Sequence, residues 1–147
     1  SSLHYAPPVL AGAIRHKLAL PERWRRSCRF SSQPLNPEVS PLTDNLLVIT
    51  TLPDQAAGEA LAASLVELGL AACVNIGPPV RSVYRWEDRI ERGTEVMLTI
   101  KTSRERYLQL ENAIVEGHPY ELPEVIAVPI TDGLNDYLAW IQACTKN

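Results

Sequence analysis

An α+β fold built on one antiparallel sheet is what this sequence predicts, and three features predict it. Short β-branched apolar runs alternate with helix-period stripes in the order β-α-β-β-α-β. A charged stretch at residues 87–93 joins the two middle strands as a hairpin. At 147 residues and 46% hydrophobic content, the chain amounts to about one domain with a real core.

The elements follow in order. Leu46-Leu47-Val48-Ile49-Thr50-Thr51 is a short apolar run of buried-strand type. Pro53-Asp54 opens a helix, because proline is tolerated in a first turn and an acid suits the positive end of the dipole. Ala57, Leu61, Leu65 and Leu68 line one face of that helix, and Gly69 is placed to end it. Residues 71–76 form a second strand, interrupted at Gly77-Pro78-Pro79. Prolines cannot donate to a ladder, so a bulge or bend is expected there. Residues 80–86 resume the strand, with Val80, Ser82 and Tyr84 on one face and Arg81, Val83 and Arg85 on the other. Residues 95–102 return after the charged tip, with Val96, Leu98 and Ile100 opposite Met97, Thr99 and Lys101. Ser103 is a natural N-cap for a helix striped by Tyr107, Leu110 and Ile114 and ended by Gly117. Residues 125–130 give the last strand, and a final helix carries Leu134, Tyr137, Leu138, Ile141 and Cys144 on its apolar side.

Two β-α-β halves with right-handed crossovers, joined by a hairpin, make the ferredoxin-like split β-α-β-β-α-β arrangement with an extra C-terminal helix. Both main helices then lie on one face of a four-stranded sheet, and the other face has no helix. Several strands are nevertheless apolar on both sides, and the long hairpin adds Tyr84 and Trp86. An uncovered apolar face calls for another subunit, with the central hairpin as the contact.

Charge divides the chain. Residues 1–40 carry six basic and two acidic side chains, and residues 41–147 carry eight basic and fifteen acidic ones. Phosphate neutralisation needs clustered Lys and Arg, so the acidic body argues against nucleic acid as a partner. Residues 1–43 hold six of the twelve prolines, with no sustained amphipathic period. A tail without fixed structure is the favoured expectation, with a targeting segment and an extension outside the functional unit left open. The working domain is then residues 44–147. The three cysteines are widely spaced with no Cys-x-x-Cys pair, and a reducing, cytoplasmic setting is the default. No apolar run approaches the ~18 residues that span a bilayer, so no membrane insertion is expected.

The stretch His118-Pro119-Tyr120-Glu121-Leu122-Pro123-Glu124 sets a titratable ring, a phenol and two carboxylates on a proline-stiffened loop. A preorganised polar loop beside a strand suits a small ligand or a metal. The plainer reading is a helix-to-strand connection whose histidine caps something locally. No Ser-His-Asp arrangement, phosphate-cradling glycine loop or nucleophilic cysteine motif supports an enzyme.

Residues 70–76 (Leu-Ala-Ala-Cys-Val-Asn-Ile), Ser82-Val83-Tyr84-Arg85-Trp86-Glu87, Ile100-Lys101-Thr102 and the loop with its following Val125-Ile126 resemble the signature blocks of the CutA divalent-cation-tolerance family. Tyr137-Leu138-Ala139-Trp140 resembles the family's closing helix. The likeness runs in order over residues 46–143 and leaves the first 43 outside it. It implies a ferredoxin-like subunit in a tight homotrimer similar to the PII signal proteins. It also implies a role in tolerance of copper and other divalent cations, with no firmly attached enzymatic activity. Animal relatives are associated with anchoring of acetylcholinesterase at membranes.

Candidate metal ligands are His118, Cys73 and Glu121. Imidazole suits Cu(II) or Zn(II), a thiolate suits soft copper, and Cys73 resembles a cysteine implicated in metal binding among bacterial relatives. Buried packing is the ordinary role of such a cysteine. Thr50 stands where some bacterial relatives carry a cysteine, which removes one thiolate from a soft-metal site. Candidate ligand-binding residues are Tyr84, Trp86, Lys101, Tyr120 and Glu124, lining a cleft between subunits. The same aromatics also suit interface packing, and Lys101 is equally placed to pair with Glu121 or Glu124. The expected function is therefore divalent-cation tolerance by a homotrimer that binds Cu(II) or another divalent cation, with no organic cofactor. The alternative is a PII-like module that binds an anionic ligand beside Lys101 and signals to a partner protein.

Overall fold

A computed structural model describes residues 44–146. The expectations for residues 1–43 lie outside the described residues. Strands β1 (Asn45–Leu52), β2 (Cys73–Trp86), β3 (Arg89–Ser103) and β4 (Ile126–Pro129) form one sheet in the order β2-β3-β1-β4. Every neighbouring pair is antiparallel. Helices α1 (Gln55–Glu67), α2 (Tyr107–Gly117) and α3 (Asn135–Cys144) complete the α+β fold.

The period-2 and period-3.6 patterns meet in one core. Leu46, Val48 and Leu52 of β1 and Leu98 and Ile100 of β3 pack with Leu61 and Leu65 of α1 and Leu110 and Ile114 of α2. Each such side chain stabilises the fold by about 1.5–3 kcal/mol on burial. The cross-strand register sets Val48 opposite Ile100 and Thr50 opposite Leu98, so these positions share the helix-covered face. Leu47, Ile49, Met97 and Lys101 take the other face by alternation.

Helix termini depart from expectation in detail. Asp54 is the N-cap of α1, its side chain accepting from the Ala57 N–H at 2.8 Å, so Pro53 precedes the cap rather than filling the first turn. Gly69 at φ +68° ends the helix as expected. Leu68 is 61% exposed, because it is the C-cap and lies past the last turn that faces the sheet. Ser103 makes no side-chain cap. The Arg104 N–H bonds the Asp44 carbonyl, which carries the backbone straight on from β3, and a 3-10 turn (Arg104–Arg106) separates Ser103 from α2.

Two local features of the hairpin decide what faces what. Only Glu87 and Asp88 turn, at φ 44° and 64°, as a two-residue turn of the primed type requires. The charged tip expected over residues 87–93 is thus mostly strand. The anticipated bulge lies between Ile76 and Pro79, where β2 holds one residue more than β3. That extra residue reverses the alternation, so Val80, Ser82, Tyr84 and Trp86 join Cys73 and Asn75 on the face away from α1 and α2. Beyond Val96, β3 has no β1 partner, and residues 80–86 and 89–95 project as a free arm about 24 Å long.

The open face is not entirely bare of helix, which corrects the expectation. The Asn45 side-chain amide donates to the Leu138 carbonyl at 3.2 Å, and Gln142 donates to the Asn45 side-chain oxygen at 2.5 Å. Arg106 Nε donates to the Thr145 carbonyl at 2.8 Å and ties down the end of α3. Leu138 and Ile141 are buried as expected, whereas Leu134 is 75% exposed as the N-cap residue. Away from α3 the face stays apolar and open, with Ile126 and Val128 of β4 about half exposed.

Candidate functional site

The free arm and the loop after α2 enclose a cleft of about 860 Å³. Its walls are built from the turn and bulge just described. Tyr84 and Trp86 come from β2, Glu91 and Glu95 from β3, and Thr51 from the end of β1. Tyr84 sits directly opposite Glu91 in the ladder, and Glu95 opposite Val80. Tyr120, Glu121 and Glu124 close the cleft from the proline-stiffened loop.

His118 is what fastens that loop. Its Nε2 lies 2.7 Å from the Thr51 carbonyl oxygen, and its Nδ1 accepts from the Tyr120 N–H at 3.1 Å. Nδ1 is therefore the unprotonated nitrogen and Nε2–H donates to Thr51. The Tyr120 ring follows, its centroid 4.9 Å from that of the imidazole. Burial, then a hydrogen bond to Glu95 and the charge of that carboxylate, push the Tyr120 phenol up to about 12. The phenol stays protonated, and Tyr120 from the loop and Glu95 from the arm line the same cleft.

Four carboxylates, Glu91, Glu95, Glu121 and Glu124, line the cleft, with no Lys, Arg or His among the lining residues. Such a site favours a cation and repels an anion. The carboxylates are spread over a wide cavity. Among the described residues no three His, Cys, Asp or Glu side chains converge to hold a metal ion.

The eight candidates divide between two places. Tyr84, Trp86, Tyr120, Glu121 and Glu124 come together in the cleft. His118 stands behind it with both ring nitrogens engaged, the local capping role of the plainer reading. Cys73 and Lys101 face each other at the far end of the open face, six residues along β3 from Glu95, or about 20 Å. There Lys101 Nζ lies 3.8 Å from the Cys73 sulfur and bonds the Asn75 side-chain oxygen, so its partners are these and not Glu121 or Glu124. Burial and then Cys73 raise the Tyr137 phenol, and Ala72, the residue before Cys73, packs with Leu138 and Ile141 of α3. Glu91 and Glu95 were absent from the sequence candidates. Setting the turn at Glu87-Asp88 alone would have placed Glu91 across from Tyr84.

Comparison with known proteins gives a consistent picture. The family described as CutA1 divalent ion tolerance protein matches residues 46–144. The chain is 38% identical to Protein CutA, chloroplastic, of Arabidopsis thaliana, over 100% of this chain and 82% of that protein. It is 40% identical to the divalent-cation tolerance protein CutA of Pectobacterium atrosepticum, over 72% of this chain and 96% of that one. The crystal structure of CutA1 from Shewanella sp. SIB1 superposes with a TM-score of 0.69 at 41% identity, covering 71% of this chain and 97% of that one.

Proposed function

We propose a function from one premise: the chain belongs to the CutA1 divalent ion tolerance family. It acts in divalent-cation tolerance by holding Cu(II) or another divalent cation in the carboxylate-lined cleft, as a homotrimer. The observation that carries this reading is the lining itself: four glutamates and no fixed cation. Oxygen donors spread around a cavity suit an ion that keeps part of its water shell. They do not suit a tight soft-copper centre, which would draw on thiolate and imidazole. Such weak, broad binding agrees with tolerance of several divalent ions.

The trimer is supported by surface that one subunit leaves uncovered. Val83 is 64% and Ile90 50% exposed on the projecting arm, and β4 adds Ile126 and Val128. Apolar surface of this kind marks an interaction site. The anionic-ligand alternative has no support in the cleft, because Lys101 lies about 20 Å away along β3. The family is named for ion tolerance, and no catalytic activity is indicated. As to location, no helix among the described residues is long and apolar enough to cross a membrane. Similarity over the whole chain to a plant protein named chloroplastic, with the Arg-rich residues 1–40, supports organelle targeting over the cytoplasmic default.

Calorimetric titration of Cu(II) and Zn(II) tests the site. The double variant Glu95→Gln/Glu121→Gln is expected to bind at least tenfold more weakly than the unmodified chain. Equal isotherms would remove the cleft as the ion's site.

A further inference from the structure

We infer that the cleft also takes an organic cation, a compact alkylammonium group seated on its aromatic wall. This inference uses the same cleft as the divalent-ion reading, but it does not require that ion to bind there.

Size is the first argument. At about 860 Å³ the cavity falls in the range of pockets that enclose small organic molecules, roughly 300–1,000 Å³. A metal ion uses a small fraction of that space, and no three potential ligands among the described residues converge on a point. The second argument is the wall. Tyr84, Trp86 and Tyr120 all line the cavity while remaining 48%, 40% and 36% exposed, so ring surface is free to meet a ligand. The electron-rich faces of such rings attract a cation, tryptophan most strongly.

Charge selects among organic ligands. With Glu91, Glu95, Glu121 and Glu124 around the rings and no Lys, Arg or His in the lining, an anion is repelled and a neutral apolar molecule gains nothing from the carboxylates. An alkylammonium ion combines diffuse positive charge with an apolar surface. It gives up its hydration far more readily than a divalent metal ion and meets both halves of the wall. The geometry is also set in advance. His118 Nδ1 accepts from the Tyr120 N–H, and the two rings lie 4.9 Å apart, so one ring of the wall is held in place before any ligand arrives.

The test uses the full chain, followed by the indole N–H signals in proton–nitrogen NMR, with the Trp86 signal identified from Trp86→Leu. Tetramethylammonium chloride is expected to shift the Trp86 signal saturably, and the neutral near-isostere tert-butanol is not. By calorimetry, Tyr84→Leu, Trp86→Leu and Glu91→Gln should each weaken tetramethylammonium binding about tenfold, with the melting temperature unchanged. An equal response to tert-butanol would overturn the cationic class, and unchanged affinity in all three variants would overturn the site. Zn(II) is titrated separately. Zinc binding without any tetramethylammonium shift sinks this inference and leaves the divalent-ion reading standing, whereas a cleft filled by a neighbouring copy would overturn both. Tetramethylammonium binding without zinc binding does the reverse.

Discussion

At the scale of single residues, His118 and Tyr120 do different work from what their chemistry first suggests. The imidazole is the family of side chain that most often binds metal. Here its nitrogens are spent on the Thr51 carbonyl and the Tyr120 N–H, and it acts as a clasp between loop and strand. Replacing it by alanine removes two hydrogen bonds, and His118→Ala is expected to lose about 1–3 kcal/mol in urea unfolding. The same variant should keep Cu(II) and Zn(II) binding within a few-fold. A loss as large as that of Glu95→Gln/Glu121→Gln would make the ring a ligand after all. Tyr120 gives a pH signature. Its phenol ionises at about 12 in the folded chain against 10.0 when unperturbed, so the folded state keeps a proton that the unfolded state releases. The resulting stabilisation is intact below pH 10 and is lost as pH rises towards 12. Ultraviolet titration of the phenols should show the late-ionising group, and Glu95→Gln should bring it down towards the ordinary value.

At the scale of elements, the β2–β3 hairpin is the part that makes the site. Its turn holds Glu87 and Asp88 in left-handed backbone conformation, which costs an L-residue roughly 1–2 kcal/mol and a glycine almost nothing. Asp88→Gly is therefore expected to stabilise the chain by about 1 kcal/mol, read as a higher urea midpoint. No gain would mean that the arm is not ordered cooperatively with the sheet. The bulge matters more for function. Without the extra residue between Ile76 and Pro79, Tyr84 and Trp86 would point to the face that carries α1 and α2, away from Glu91 and Glu95. Proline at both Pro78 and Pro79 made a bulge readable from sequence, because neither can donate to the ladder. Its consequence for facing was not readable without the pairing.

At the scale of the whole molecule, one subunit buries a main core under α1 and α2 and a smaller cluster under α3, and leaves apolar side chains of the arm and of β4 exposed. Exposed Val83 and Ile90 sit on an arm that touches no β1 residue in the ladder, so they contribute nothing to the core. Sedimentation at micromolar concentration is expected to give three times the 16.3 kDa chain mass. Val83→Asp/Ile90→Asp should reduce it to one subunit without unfolding the core. A single-chain mass for the unmodified protein would overturn the trimer. The cleft opens beside the same arm, so assembly and ligand binding are expected to respond together to these two substitutions.

The sequence by itself determined the element order, the sheet, and the core. Leu46, Val48, Leu98, Ile100, Leu61, Leu65, Leu110 and Ile114 announce themselves through periods of 2 and 3.6, which are local properties of the backbone. Its aromatic and loop candidates, Tyr84, Trp86, Tyr120, Glu121 and Glu124, also meet in one cleft. Only the tertiary structure decided that Glu91 and Glu95 join them, that Cys73 and Lys101 stand apart with Asn75, and that His118 holds Thr51, 67 residues away in the chain. The reason is physical. Periodicity fixes which residues share a face within one element, but a single bulge or a two-residue turn changes which face that is. A histidine's role depends on which distant carbonyl comes within hydrogen-bond reach, and no local pattern encodes that distance.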